Sequence, residues 1–168
     1  MPGLSFTLRE DETVEITKYG GKAEELEISA KLDGKRVTRI GEGAFAACKS
    51  LTGVTIPDSV TEIGRNAFYD CTGLCGITIP DSVTRIGEGA FAACRNLTNV
   101  AIPDGVTEIG SVAFSGCKSL VGITIPDSVI KIGKAAFSGC DNLTMTVGHG
   151  SYAEQYAMDN GINYMYMD

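Results

Sequence analysis

The sequence predicts an α/β repeat solenoid: short parallel strands wound into 23-residue coils that stack on one shared core. Three observations carry this. First, residues of one type recur at a fixed period. Leu51, Leu74, Leu97, Leu120 and Leu143 stand 23 apart, as do Phe45, Phe68, Phe91, Phe114 and Phe137. Second, each unit alternates apolar and polar residues over short stretches. Third, both ends depart from the repeat. A fixed period of this length marks a repeat array, in which one unit cannot bury its apolar face but stacked units can.

The elements follow in chain order. Residues 1–22 alternate at Phe6, Leu8, Val14 and Ile16 around Asp11-Glu12, which predicts a hairpin covering the first coil. Residues 23–50 make an atypical first repeat, with Leu26 and Ile28 at strand positions and an Asp33-Gly34 turn signal in an insertion. Four full repeats fill 51–142. In the unit from Leu51 to Gly73, Leu51, Val54 and Ile56 face inward from a first strand and Gly53 and Thr55 outward. Pro57-Asp58-Ser59 is a turn. Val60 to Ile63 forms a second strand, and Gly64 permits a tight corner. Asn66 to Cys71 is expected to form one helical or 3₁₀ turn with Ala67, Phe68 and Cys71 inside. Residues 143–168 read as a cap, with a helix opening at Ser151 and a closing strand around Ile162, Tyr164 and Tyr166. The whole, 1–168, is read as a single capped domain that folds alone.

Hydrophobic residues make up 43% of the chain and charged residues 21%, a globular composition. The formal charge of −7 argues against nucleic-acid and anionic-membrane partners, because both need concentrated positive charge. No apolar run reaches the ~20 residues of a bilayer span. The first residues lack the charged and apolar regions of a signal peptide, so none is expected in this chain.

Several residue ladders recur with the coil. Cys48, Cys71, Cys94, Cys117 and Cys140 follow each Phe by three and read as small buried hydrophobes. No Cys-x-x-Cys pair or histidine partner suggests zinc. Cys75 lies off this ladder, at an exposed-looking strand position; an inert side chain is expected there, and of the six thiols it is the one that would react or cross-link chains. Arg39, Glu62, Arg85, Glu108 and Lys131 alternate in sign, a stripe that laterally paired strands would set side by side. Glu42, Arg65, Glu88, Ser111 and Lys134 repeat the pattern in part. Asp58, Asp81, Asp104 and Asp127 follow the coil prolines; Asx-type bonding explains such a row better than calcium, which needs more oxygen ligands than one per coil. No metal and no cofactor is expected.

The outward face of the first strands carries Gly53, Thr55, Gly76, Thr78, Asn99, Ala101, Gly122 and Thr124. Of these, Thr55, Thr78, Asn99, Ala101 and Thr124 are the candidate protein-binding face. They are small and neutral, whereas interface hot spots favour Trp, Tyr and Arg. Tyr69 and Asp70 are the other variable sites. The single histidine, His149, stands in a Gly-His-Gly turn and reads as a loop residue. Gly-Glu-Gly-Ala at 41–44 and 87–90 lacks the Lys-Ser/Thr of a phosphate loop. Nothing here makes a catalytic set, so no enzyme is expected.

The unit L-x-x-I-x-I-P-x-S-V-x-x-I-G-x-x-A-F-x-x-C resembles the BspA-like (Treponema pallidum type) leucine-rich repeats. The likeness includes T-V-E-I-T-K-Y-G at Thr13–Gly20 and G-S-Y-A-E-Q-Y-A at Gly150–Ala157. It implies a right-handed leucine-rich repeat superhelix. It also implies a bacterial or protozoan cell-surface, adhesin-like parent protein that binds host, matrix or cell-surface proteins; the chain itself is expected to act as a monomeric, non-catalytic module. The alternative is a structural or consensus-designed scaffold with no specific ligand: units 51–73 and 74–96 are identical at 14 of 23 positions.

Overall fold

The computed structural model describes residues 3–168 and is a solenoid of about seven turns with 23-residue coils. It opens with an antiparallel hairpin, β1 (Leu4–Leu8) and β2 (Val14–Tyr19). The first coil holds β3 (Glu25–Glu27), β4 (Lys31–Leu32) and β5 (Lys35–Ile40). Asp33 and Gly34, at φ 47° and 75°, turn the chain between β4 and β5. Four coils follow, each with two short strands: β6 (Gly53–Thr55) and β7 (Glu62–Ile63), β8 (Gly76–Thr78) and β9 (Arg85–Ile86), β10 (Asn99–Ala101) and β11 (Glu108–Ile109), β12 (Gly122–Thr124) and β13 (Lys131–Ile132). The chain closes with β14 (Thr144–Val147), α1 (Tyr152–Asp159) and β15 (Asn163–Tyr166).

The strands form two sheets along the stack. One runs β1-β2-β5-β7-β9-β11-β13, with β4 on β5; the other runs β15-β14-β12-β10-β8-β6-β3. Between them lies the core. Leu51, Val60, Ile63, Ala67, Phe68 and Cys71 are fully buried, and their equivalents recur coil by coil. The five Phe rings stack nearly parallel at 5.0–5.3 Å, close to the strand spacing. Tyr19 continues the column at one end, 5.5 Å from Phe45, and Tyr156 closes it edge-on at 6.2 Å from Phe137.

The third side of each coil departs from the sequence expectation. Asn66 to Cys71 is not helical. Asn66 and Asp70 sit in the left-handed region, at φ 52° and 55°, so the backbone reverses twice within one coil. Tyr69 and Cys71 donate within the coil, to the carbonyls of Asn66 and Phe68. Asn66, Phe68 and Asp70 donate instead to Glu88, Ala90 and Ala92 of the next coil, at 2.8, 2.7 and 2.9 Å. The third side is therefore a main-chain ladder, and helix geometry would have spent those donors inside the coil.

The corner glycine is needed for closeness, not for its φ. A Cβ at Gly110 would lie 2.5 Å from the Glu88 nitrogen in the preceding coil, and one at Gly87 would lie 2.7 Å from the Gly64 carbonyl carbon. Only a residue without Cβ lets successive corners nest.

The left-handed positions hold Gly43, Gly89, Gly116 and Gly139 in some coils and side-chain-bearing residues in others. The costliest is Val112, β-branched at φ 50°. Val112→Asn should raise stability by about 1 kcal/mol, read as a higher denaturation midpoint at unchanged slope, because Asn tolerates this region and Asn66 already occupies the matching place.

Candidate functional site

The second sheet presents a flat outward stripe. Glu27 pairs with Thr55 and Thr55 with Thr78. Asn99 pairs with Gly76, which sets Ala101 beside Thr78. Ala101 then pairs with Thr124, Thr124 with Thr146 and Thr146 with Met165. Thr55, Thr78, Asn99, Ala101 and Thr124 are all exposed. Gly53, Gly76 and Gly122 form a parallel row interrupted by Asn99, so the face has no ridge along its middle. Acidic Glu25 and Glu27 bound it at one end; exposed Met165 bounds it at the other. The sequence reading missed both boundaries, because β3 and β15 lie outside the regular repeat.

The charge ladder runs along the opposite sheet. Arg39 meets Glu62 at 3.1 Å, Arg85 meets Glu108 at 3.7 Å, and Lys131 meets Glu108 at 3.0 Å. Glu62 and Arg85 share a register position without an ion pair between them. The stripe reaches into the hairpin, where Glu15 bridges Arg39 at 3.8 Å and Arg9 at 3.0 Å. Lys131 and Arg85 hold the Glu108 carboxyl below its ordinary range, the hydrogen bond from Lys131 contributing most. The acids and Arg39 are half-buried, whereas Arg85 and Lys131 reach them from more exposed positions, so the pairs are only partly desolvated and each contributes modestly to stability.

Each ladder cysteine from the second coil on donates its thiol to a Phe carbonyl one coil back: Cys71 to Phe45 at 3.0 Å, then Cys94 to Phe68, Cys117 to Phe91 and Cys140 to Phe114, each at 3.1 Å. Those four are buried, Cys48 is half-buried, and all six thiols are free. Burial is the main cause that pushes the Cys48 thiol up to about 11. Cys75 alone is exposed. A thiol reagent at neutral pH should therefore modify Cys75 at once, Cys48 slowly, and the other four only on unfolding. Peptide mapping after timed alkylation checks this; early modification of Cys94 would contradict it.

The turn after each proline is closed by main chain. Val60 donates to Pro57 at 3.0 Å, with the same bond in later coils. The carboxylates of Asp58, Asp81, Asp104 and Asp127 are exposed, and among the described residues none accepts a hydrogen bond from its turn. The Asx explanation is therefore corrected. The serine that follows makes the lateral bond instead: Ser82 donates to Val60 at 2.6 Å and Ser128 to Val106 at 2.8 Å. Among the described residues, no three His, Cys, Asp or Glu side chains converge as a metal site would require.

His149 lies in the loop before α1, where folding gives it neighbours the sequence hides. Its ring stacks on Tyr166 at 3.5 Å. Tyr166 donates to Glu154 at 2.6 Å, and Glu154 also accepts from the Gly150 amide at 2.6 Å. The bond to Glu154 pushes the Tyr166 phenol up to about 12 and holds the Glu154 carboxyl down. All three sit on the open surface of the cap, where they tie β15 to α1.

A family model, the BspA type leucine-rich repeat region, matches residues 21–144 in six copies. The chain is a BspA-type leucine-rich repeat protein. Solved structures of such repeats agree. The leucine-rich repeat protein of T. pallidum (TpLRR) is 36% identical, with a TM-score of 0.84 over 86% of this chain and 68% of its own. A leucine-rich cell surface protein from Faecalibacterium prausnitzii is 33% identical, with a TM-score of 0.81 over 94% of this chain. A leucine-rich repeat protein from Bacteroides ovatus is 30% identical, with a TM-score of 0.66 over 87%. This BspA-type chain spans 41% and 46% of the latter two. No curated protein sequence matches it. Among its described residues, no helix is long and apolar enough to cross a membrane.

Proposed function

We propose that the chain is a non-catalytic protein-binding module of a bacterial or protozoan surface, adhesin-like protein, and that it engages its partner through the flat stripe of the second sheet. The stripe carries the reading: Thr55, Thr78, Ala101 and Thr124 are exposed in a row in register, with exposed Asn99 in the glycine row beside them. The cell-surface description of the Faecalibacterium structure supports the location. A face of small neutral residues binds by area and shape, without aromatic anchors, so the affinity is modest.

The test is a pull-down of matrix and host-surface proteins with the wild-type chain and with the double variant Thr78→Arg, Ala101→Arg. Binding by the wild type and at least ~10-fold loss in the variant are expected, since two buried, unpaired cations cost more than the ~1.4 kcal/mol that tenfold represents. Uniform absence of capture by the wild type counts against the reading. It would favour the second one, a structural scaffold without a ligand, which the blandness of the same stripe supports.

A further inference from the structure

The main-chain ladder of the third side has a direction. In every coil the donors point to the next coil: Gly43, Phe45 and Ala47 to Arg65, Ala67 and Tyr69; Asn66, Phe68 and Asp70 to Glu88, Ala90 and Ala92; Gly89, Phe91 and Ala93 to Ser111, Ala113 and Ser115; Val112, Phe114 and Gly116 to Lys134, Ala136 and Ser138. All twelve bonds measure 2.7–3.0 Å. The next donors in the series are the amides of Ala135, Phe137 and Gly139. Among the described residues they have no acceptor. Their residues line a cavity of about 540 Å³ between the last coil and the C-terminal cap, which Leu143, Tyr156 and Ile162 also line.

We propose that this end of the stack is a binding site for a linear peptide segment that adds a further third side to the ladder, accepting the three free amides with alternate main-chain carbonyls. The proposal is independent of the lateral stripe. Donors on alternate residues stand on the order of 5–7 Å apart, too far to converge on one carboxylate or phosphate, and matched by the carbonyls of a chain with the same turn geometry. The exposed Asp141 carboxylate at the rim also opposes a small anion.

Charge sets the register of the peptide. Lys134 and Asp141 both line the cavity. Within the ladder their equivalents pair with the neighbouring coil, Arg65 with Glu88 at 3.3 Å and Lys49 with Asp70 at 3.7 Å. Those two pairs span 23 and 21 residues, so a docking segment needs an acid opposite Lys134 and a base five residues later opposite Asp141. Residues 87–95 of this chain, Gly-Glu-Gly-Ala-Phe-Ala-Ala-Cys-Arg, supply the acid at Glu88 and the small residues, and Ala93→Lys places the base at the required spacing. The occupant is thus a segment of another polypeptide, acidic then small then basic, with one apolar side chain for the wall of Phe137, Leu143 and Ile162.

The experiment is an amide chemical-shift titration of the full chain with a capped peptide of residues 87–95 carrying Ala93→Lys and Cys94→Ser. Saturable shifts of the Ala135, Phe137 and Gly139 amides are expected at peptide concentrations up to about 1 mM. A charge-swapped peptide, Glu88→Lys with Ala93→Glu, should bind at least ~5-fold more weakly. Ser138→Trp, at an exposed position on the cavity wall, should abolish the shifts, with Asn163→Trp as a second blocking variant. No shift with the peptide, shifts that survive both blocking variants, or equal shifts with inorganic phosphate at the same concentration would overturn the proposal.

Discussion

Phe91→Ala should destabilise the protein by about 4 kcal/mol, within the 3–5 kcal/mol range for buried Phe truncation. Phe91 is fully buried at the middle of the column, stacked on Phe68 at 5.3 Å and on Phe114 at 5.2 Å. Truncation removes both stacking contacts and leaves a cavity shared by three coils. The neighbours cannot close over it, because twelve ladder bonds and two sheets fix the coil spacing. The loss also falls where it does most harm: in a stack whose cooperativity passes through nearest-neighbour interfaces, a weak central interface uncouples the halves. Against a total stability of roughly 5–15 kcal/mol, the variant should be partly unfolded at ambient temperature or unfold in two steps. Urea denaturation followed by far-ultraviolet circular dichroism measures this. A change below ~1 kcal/mol would mean that the Phe column is not the core.

The same residues show why the fold was legible. A period of 23 in Leu, Phe, Cys and Pro is a direct statement of stacking, since identical positions in a solenoid are neighbours in space. The first-strand and second-strand positions could be placed because inward residues there alternate with outward ones. The third side escaped because its backbone follows neither period. Its signal was nonetheless present: of the two left-handed positions in each coil, at least one is Gly, Asn or Asp, as at Gly43, Asn66, Gly89, Gly116 and Gly139. Ala47, Ala93, Val112 and Ala135 at the partner positions masked it.

Less of the site was legible. The candidate stripe is named by strand alternation, but its boundaries at Glu25, Glu27 and Met165 come from end strands that share register without sharing sequence. Glu15 joins the charge ladder from the hairpin for the same reason. The stacking of His149 on Tyr166 spans 17 residues of irregular chain, and no local pattern announces it. The open row at Ala135, Phe137 and Gly139 is a property of where a ladder stops, which repetition by itself cannot show.

Alkaline pH should weaken the protein through the cysteine ladder. Cys71 and Cys117 are fully buried, and their thiols are pushed well above the ordinary value of 9.0, first by hydrogen bonding with the next thiol on the ladder and then by burial. Ionisation would also strip the proton that each donates to a Phe carbonyl. The native state therefore holds these protons where the unfolded chain, titrating near 9.0, releases them. With a raised native value, the stabilisation is complete below about pH 9 and falls as pH rises above it. At about pH 10 such a thiol is mostly ionised in the unfolded chain, a difference of about 1.4 kcal/mol for Cys71, while Cys117 contributes less because the bond that raises it lowers its partner Cys140. Urea midpoints measured under reductant near neutrality and at about pH 10 test the size of the fall. The double variant Cys71→Ala, Cys117→Ala should start from a lower midpoint and lose much less of it between the two conditions. Equal losses in wild type and variant would assign the alkaline sensitivity to groups outside the ladder.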